Sequence, residues 1–489
     1  MQGNVLVPLM LFSWVPLTLL LFSVFSARRA VMISALGGWL FLPVAEFALP
    51  GFVDYTKHTA IAIAVVAGIL VFDCDRLMDL RFNRMDLPIF AWVLCPMLTS
   101  LMNELGAYDG LSGVLDRTFI WGVPYAIGRM YFWTFAGLRD LALGILISGL
   151  VYTPFCLWEV RMSPQLHVQL YGYFAHGGGF AQVFRFGGWR PMVFMHHGLM
   201  LGLWMAMATL MAFTLWYSGT KKTFLGMPMF MIFAGLAVLC VLIKSSGSIA
   251  LLVLGMAALI LGKHLRFGLL IWVLMLVPAL YAGLRTPGLW DGQNLVELVD
   301  DVLGPDRAHS IDYRLEAERL LIDKGMEQPV YGWGEHDRGR VEWDKSPDGR
   351  VVPDGQWIQA LNVNGIVGIV SLLLVFLVPV AALTVKVSPA MWAHNQLVML
   401  GGISMMPILF MLDNLLNAMV NPIYIIVLGG ITGYVLGNPG AYRLANGRIR
   451  YRQSQIRWLV ERRRQQQLIR TSIRGPHLGR GLRQANNPS

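Results

Sequence analysis

Residues 353–385 read PDGQWIQALNVNGIVGIVSLLLVFLVPVAALTV: a polar turn, then an apolar run from 358 to 385 without one charged residue. A helix that crosses the roughly 30 Å hydrocarbon core needs about 20 mostly apolar residues at about 1.5 Å each. Backbone groups cannot stay unpaired in lipid, so the run reads as a membrane-spanning helix. Working outward, comparable runs lie near 4–26, 31–50, 59–73, 88–107, 117–136, 138–157, 194–217, 225–243, 249–262, 268–283, 396–417 and 421–437. The expected fold class is an all-α polytopic membrane protein of about 12–13 transmembrane helices with one large extracytoplasmic loop. Ten spans would lie in 1–283, the loop in 284–357, three more spans in 358–437 and a basic tail in 438–489. Composition agrees: 56% of residues are hydrophobic, 14% are charged, and the mean hydropathy of +0.56 excludes an ordinary soluble enzyme.

Charge orients the expected bundle, because Lys and Arg in short loops collect on the cytoplasmic side. Arg28-Arg29, the loop with Arg76, Arg81 and Arg84, Arg139, Lys221-Lys222, Lys263 with Arg266, and Lys386 all fall on one side under this count. The N-terminus, the 158–193 loop and the 284–357 loop fall on the other. The N-terminus has neither a basic n-region nor a small-residue cleavage site, so it reads as a first span. The tail holds twelve arginines against one glutamate, so it accounts for +11 of a net +10 and leaves the remainder near −1. Such a tail either lies on anionic inner-leaflet lipid or serves as a solubilising topology anchor. No motif points to nucleic acid. Cys74, Cys95, Cys156 and Cys240 lack metal or redox spacing and read as small packing residues. No 20–50-residue repeat or inverted duplication is visible.

The 284–357 loop is where chemistry is expected. It carries sixteen Asp or Glu against nine Lys or Arg, so an anionic substrate would suit it only where arginines are concentrated. Apolar residues at Leu295, Leu298, Val299, Val302 and Leu303 give 294–303 one amphipathic helical face. Ser310 is placed to cap a second helix through Tyr313, Arg314, Ala317 and Leu321, ending at Gly325. Pro329-Val330-Tyr331-Gly332-Trp333-Gly334 then reads as a turn, with Gly332 and Gly334 able to take backbone conformations other residues avoid. Asp354 reaches the membrane surface just ahead of the span, whose Gly365 and Gly368 would admit a neighbouring helix.

Each candidate side chain has a structural alternative. Arg314 either binds a ligand or pairs with Glu318 one helical turn on. Arg185 and Arg190 either grip substrate or contact headgroups. Arg129 is mid-span, a costly place for a charge, which points to a lipid phosphate or an internal salt bridge. Asp413, Asn414 and Asn417 either line an acceptor cavity or bond helix to helix. His196-His197 lacks a third ligand at zinc spacing. Gly177-Gly178-Gly179 follows no strand and reads as a flexible loop.

Taken together, these features resemble the O-antigen ligase and polymerase superfamily of bacterial membrane glycosyltransferases. The resemblance rests on Arg314 on a helix, the Pro-x-x-Gly-x-Gly turn of 329–334, the polar 354–357 segment and the Gly-x-x-Gly of 365–368. Lys244-Ser245-Ser246-Gly247-Ser248 and Arg190-Pro191 leading to His196-His197 support it, so that it covers about 185–434. It implies transfer of a glycan from a polyprenyl-pyrophosphate carrier to an acceptor hydroxyl, outside the inner membrane. It implies no metal or other cofactor. Its expected partners are the carrier-linked glycan, membrane lipids and other polysaccharide assembly proteins. Arginine forks suit the negative charge that grows on a departing pyrophosphate, and a base must take the acceptor proton. Arg314 and Asp354 are the expected catalytic pair. Arg190, Arg185, Arg129, His196, His336 and Asp413 are the expected substrate-binding residues, and Gly332 and Gly334 shape the turn. Many ligases of the superfamily carry a His where this chain has Asp354, whose ordinary pKa of about 3.9 calls for burial or a nearby like charge. His336 is the other base in the loop. Two other functions fit the same sequence: a flippase for lipid-linked sugar, and a non-catalytic scaffold of a polysaccharide export complex.

Overall fold

The computed structural model describes residues 3–49, 53–176, 183–266, 268–346 and 349–437. The triglycine at 177–179 and the basic tail lie outside the described residues. In chain order the helices are α1 (Leu6–Val24), α2 (Ala27–Phe41), α3 (Lys57–Phe72), α4 (Asp75–Met78), α5 (Leu87–Met102) and α6 (Ala107–Arg117). A π-helical turn, Thr118–Gly122, joins α6 to α7 (Val123–Tyr131). There follow α8 (Phe135–Met162), α9 (Leu166–Tyr171), α10 (Gly198–Tyr217), α11 (Met229–Leu242), α12 (Ser246–Leu265) and α13 (Leu269–Arg285). The loop helices α14 (Gln293–Leu303) and α15 (Pro305–Gly325) precede α16 (Gln356–Lys386), α17 (Asn395–Asp413) and α18 (Pro422–Leu436). Strands form only short antiparallel hairpins among the described residues: β1 (Glu46–Phe47) with β2 (Tyr55–Thr56), β3 (Phe184–Arg185) with β4 (Gly188–Trp189), and β5 (Thr223–Phe224) with β6 (Met227–Pro228).

Seven helical segments are long and apolar enough to cross a membrane: α1, residues 84–102 containing α5, α8, α10, α12, α16 and α17. Among the shorter apolar helices are α3, α11, α13 and α18. In α10 and α17 the apolar window is 89% and 83% buried, against 28% in α1, which puts α10 and α17 at the centre and α1 at the rim. Glycines let α7 and α18 touch backbone to backbone. A Cβ on Gly429 would lie 2.0 Å from Tyr125 O, and one on Gly128 would lie 2.1 Å from Ile426 O.

Several boundaries differ from the sequence reading, each for a physical reason. The 31–50 run leaves the helix after Phe41, just before Pro43, and continues into β1. The 117–136 run falls in helical chain that starts earlier, at Ala107, passes through the π-turn and ends at Tyr131. The second loop helix begins at Pro305 rather than after Ser310. Gly304, at φ 84°, turns the chain, and Pro305 fills a first-turn position where its missing N–H costs nothing, so Ser310 falls inside α15. Cys95, Cys156 and Cys240 are buried, while Cys74 is exposed in the short connection after α3.

Candidate functional site

The site begins with a break in α16. Gly365 has φ 63° and ψ −157°, so the helix stops and restarts there. The polar groups released at the break are taken by the 329–334 turn. Trp333 N donates to Asn362 O (2.8 Å), Gly334 N to Val363 O (2.9 Å), Ile366 N to Pro329 O (2.8 Å) and Val367 N to Val330 O (3.3 Å). Gly332 and Gly334 have φ 68° and 86°, and a Cβ on Gly332 would meet Asn364 N at 2.5 Å. The two glycines therefore do form the turn, and a larger residue at 332 would push it off the helix. The close neighbour of Gly365 is this turn, not another helix: a Cβ there would lie 2.4 Å from the Val330 carbonyl. Gly368 faces Ala360 O of its own helix across the break (2.7 Å). From α5, Thr99 Oγ1 donates to Tyr331 O (2.7 Å) and Asn103 Nδ2 to Gly332 O (2.6 Å). Arg117 clamps Asn364 Oδ1 and Trp92 O while stacking on Trp92.

Asp354 lies two residues ahead of the first segment of α16, which is locked this way and starts at Gln356. Its Oδ2 lies 3.3 Å from Arg314 Nε, and Arg314 Nη1 donates to Leu416 O (3.1 Å), so α15 is tied both to the start of α16 and to the α17–α18 connection. Arg314 does not pair with Glu318. Glu318 is buried, lies 3.5 Å from Arg285 Nη2 and accepts from Tyr281 Oη at 2.7 Å. Surrounding protein pushes the Asp354 carboxyl up from its ordinary value, with the Arg314 guanidinium opposing. The Asp354 side chain is still 44% exposed, so a ligand can reach it. The charge of Arg314 also reaches Asp413 and His197. Asp413 accepts from Asn417 Nδ2 (3.1 Å).

His197 caps α10. Its Nδ1 accepts from Leu199 N (3.0 Å), which leaves the ring proton on Nε2. Burial, then the nearby His176, Arg190, His196 and Arg314, depress its pKa to about 3. It is therefore a neutral donor at physiological pH. Its ring centroid lies 4.7 Å from that of His176, and that of the exposed His196 lies 5.9 Å from His176. Arg190 is buried beside them. Its N donates to Val183 O (2.7 Å) and its Nη2 to Lys244 O (3.2 Å), which joins two of the upstream motifs. A Cβ on Gly198 would lie 2.4 Å from Arg190 Cδ, so the stem lies flat on the start of α10. Arg185 sits in β3, in the hairpin that runs past Lys244. Lys244 Nζ donates to Phe186 O at 3.4 Å.

Arg314, Asp354, Asp413, His197 and Arg190 thus form one neighbourhood, with His196 at its edge. Of the other expected residues, Arg185 stays in the β3–β4 hairpin, and two lie elsewhere. Arg129 forms a buried pair with Asp86 (Nε–Oδ1 2.9 Å) and donates to Arg81 O (2.8 Å). It packs beside Gly429 and Gly433 in the later half of α18, while Arg314 holds the segment before α18. Its mid-span charge is answered by the internal salt bridge. His336 is 65% exposed and faces Asp109 of α6 (3.5 Å), which Arg338 also holds at 2.8 Å. Among the described residues, the ion-pair partners of Asp109 are His336 and Arg338, whereas that of Asp354 is Arg314. Sequence reading overlooked His176 and ranked His196 above His197. The signal for His197 was its place directly before Gly198, at a helix cap.

Chemically, the neighbourhood offers guanidinium donors, a neutral imidazole N–H and an accessible carboxylate of raised basicity at the end of a membrane bundle. No protein-family model matches the chain, and no curated protein matches it.

Proposed function

We propose that the protein is a membrane glycosyltransferase of the O-antigen ligase or polymerase kind, moving a glycan from polyprenyl pyrophosphate to an acceptor hydroxyl in cell-surface polysaccharide assembly. The observation that carries this reading is the contact of Arg314 with an accessible Asp354, with His197 within range of the charges of both Arg190 and Arg314. In this mechanism the guanidinium groups and the His197 Nε2–H hold the pyrophosphate oxygens. The acceptor oxygen attacks the anomeric carbon and its proton passes to Asp354. The bond from that carbon to the pyrophosphate oxygen breaks, and the negative charge grows where the arginines lie.

The topology that accompanies the reading counts α1, α2, α3, α5, the α6–α7 pair, α8, α10, α11, α12, α13, α16, α17 and α18 as thirteen crossings. Strict alternation then puts the starts of α10, α12 and α16, the end of α17 and the start of α18 on the same face as α14 and α15. All the site residues share that face, and the basic loops share the other, as an extracytoplasmic site in a bacterial inner membrane requires. A flippase would instead be expected to place its polar groups near the midplane. The test is transfer by purified protein in proteoliposomes, from a labelled polyprenyl-pyrophosphate oligosaccharide to a lipid-linked or core acceptor. Movement of the label across the bilayer without a new glycosidic bond would replace this reading with transport. Neither outcome, with partners supplied, would favour a scaffold.

A further inference from the structure

Residues 190–197 carry Arg190, His196 and His197, yet they belong to no regular element between β4 and α10. Two side chains on one face of α8 hold this segment. Glu159 Oε2 accepts from both Met192 N and Val193 N (2.7 Å each), and its Oε1 accepts from Leu166 N at the start of α9 (2.9 Å). Tyr152, seven residues earlier, accepts from Phe194 N (3.2 Å) and donates to Leu40 O (2.6 Å). Three consecutive backbone N–H groups therefore dock on α8. Val193 is held at φ 54°, a conformation β-branched residues rarely adopt, so the segment would not keep this path unaided. Glu159 and Tyr152 are both fully buried, and Arg190 lies two residues before the docked amides.

We propose that Glu159 is a positioning residue: its carboxylate fixes the 190–197 segment so that Arg190 and His197 converge with Arg314. The inference rests on the glycan-transfer reading for what the converged groups bind. Three N–H donors need both carboxylate oxygens. An amide offers one oxygen and one NH2, and with its oxygen at the Oε2 position Glu159→Gln would give up only Leu166 N, so Glu159→Ala, which removes both oxygens, is the substitution that frees Met192 N and Val193 N.

The test uses full-length protein in nanodiscs with Cys74 replaced by Ser and a reporter His196→Cys, labelled by a water-soluble maleimide. Adding Glu159→Ala is expected to change the labelling rate by about fivefold or more, because it releases Met192 N and Val193 N together. Inorganic pyrophosphate binding, measured without the reporter, is expected to weaken about tenfold to a hundredfold, the scale of a remote misplacement of about 1 Å. In an Arg190→Ala background the same substitution is expected to add little further loss, because it acts through Arg190. Tyr152→Phe, which releases Phe194 N and also leaves Leu40 O without its donor, gives a smaller loss in the same direction and serves if Glu159→Ala does not fold. An unchanged labelling rate overturns the proposal. So does altered labelling with undiminished pyrophosphate binding, and so does a loss that simply adds to that of Arg190→Ala. Altered labelling in a protein whose parent form never binds pyrophosphate keeps the positioning role and removes the glycan-transfer reading.

Discussion

Replacing Arg314 by Lys keeps the charge and removes the fork. In the native site Nε faces Asp354 at 3.3 Å and Nη1 donates to Leu416 O at 3.1 Å, while Nη2 makes no hydrogen bond among the described residues. A lysine ammonium cannot span the carboxylate, the carbonyl and an incoming phosphate together. The stability change is expected to be small, because the Arg314 and Asp354 side chains are 26% and 44% exposed, and such a pair is worth about 0–1 kcal/mol. The change in transfer is expected to be large. Losing one preorganised donor to developing charge costs about 2.7–4 kcal/mol, or about 10²- to 10³-fold in rate. The two effects separate cleanly in a thermal-unfolding scan run beside single-turnover transfer from labelled polyprenyl-pyrophosphate glycan. Transfer within about threefold of the parent rate would refute the assignment, since about 0.7 kcal/mol is too little for a donor to the leaving group. A large fall in unfolding temperature would show instead that Arg314 is mainly a strut between α15 and the α17–α18 connection.

Asp354→Asn is expected to lose most transfer, with Asp354→His retaining some; full activity in the Asn variant would exclude Asp354 as the base. Because burial raises the Asp354 pKa, the rising acid limb of the native pH–rate profile is expected above the ordinary carboxylate value of about 3.9, and it should vanish in residual Asn activity. Gly365→Ala places a Cβ 2.4 Å from the Val330 carbonyl at a φ of 63°, so about 1–3 kcal/mol of backbone strain is expected in addition to displacement of the turn. An unfolding temperature equal to that of the parent would contradict the local geometry. Asp86→Ala strands Arg129 in the interior, where both side chains are at most 1% exposed, and is expected to cost about 3–5 kcal/mol of stability without altering transfer per folded molecule. A selective loss of transfer would return Arg129 to the list of substrate ligands.

What the sequence revealed follows from which signals are local. Hydropathy is, so the long apolar helices could be read along the chain, and the amphipathic α14 was placed to within one residue of its start. The break in α16 is not local. Its sequence differs little from an uninterrupted span, and only the turn arriving from 329–334 lets the backbone leave the helix. Ion pairing was the least legible. Arg314 had Glu318 one turn away, but Arg285 takes Glu318, and Arg314 crosses forty residues to Asp354. Arg129 likewise finds Asp86 forty-three residues back. His336, two residues past the turn, was the other base that the loop offered, and Gly334 at φ 86° and His336 at φ 62° carry the chain to Asp109.

Three of the arginines that face carboxylates across long sequence separations, Arg129, Arg285 and Arg314, differ in a way that sorts their roles. Arg129–Asp86 and Arg285–Glu318 are sealed, with every side chain at most 5% exposed. Asp86 is also bonded by Tyr125 Oη (2.8 Å), and Glu318 by Tyr281 Oη (2.7 Å), so each carboxylate is committed within the protein. A sealed pair offers no coordination to a substrate and is costly to break, which makes it a support. Arg314–Asp354 is the opposite case: longer than the Arg129 contact, open to solvent, and adjacent to a second carboxylate and to the His197 cap. Such a pair holds little folding energy, so exchanging its partner for a substrate oxygen costs little. Glu318 of the sealed pair lies on the same helix as Arg314 and its bond to Arg285 fixes α15 against α13, and it is this rigidity that lets the open pair remain poised without having to stabilise the fold itself.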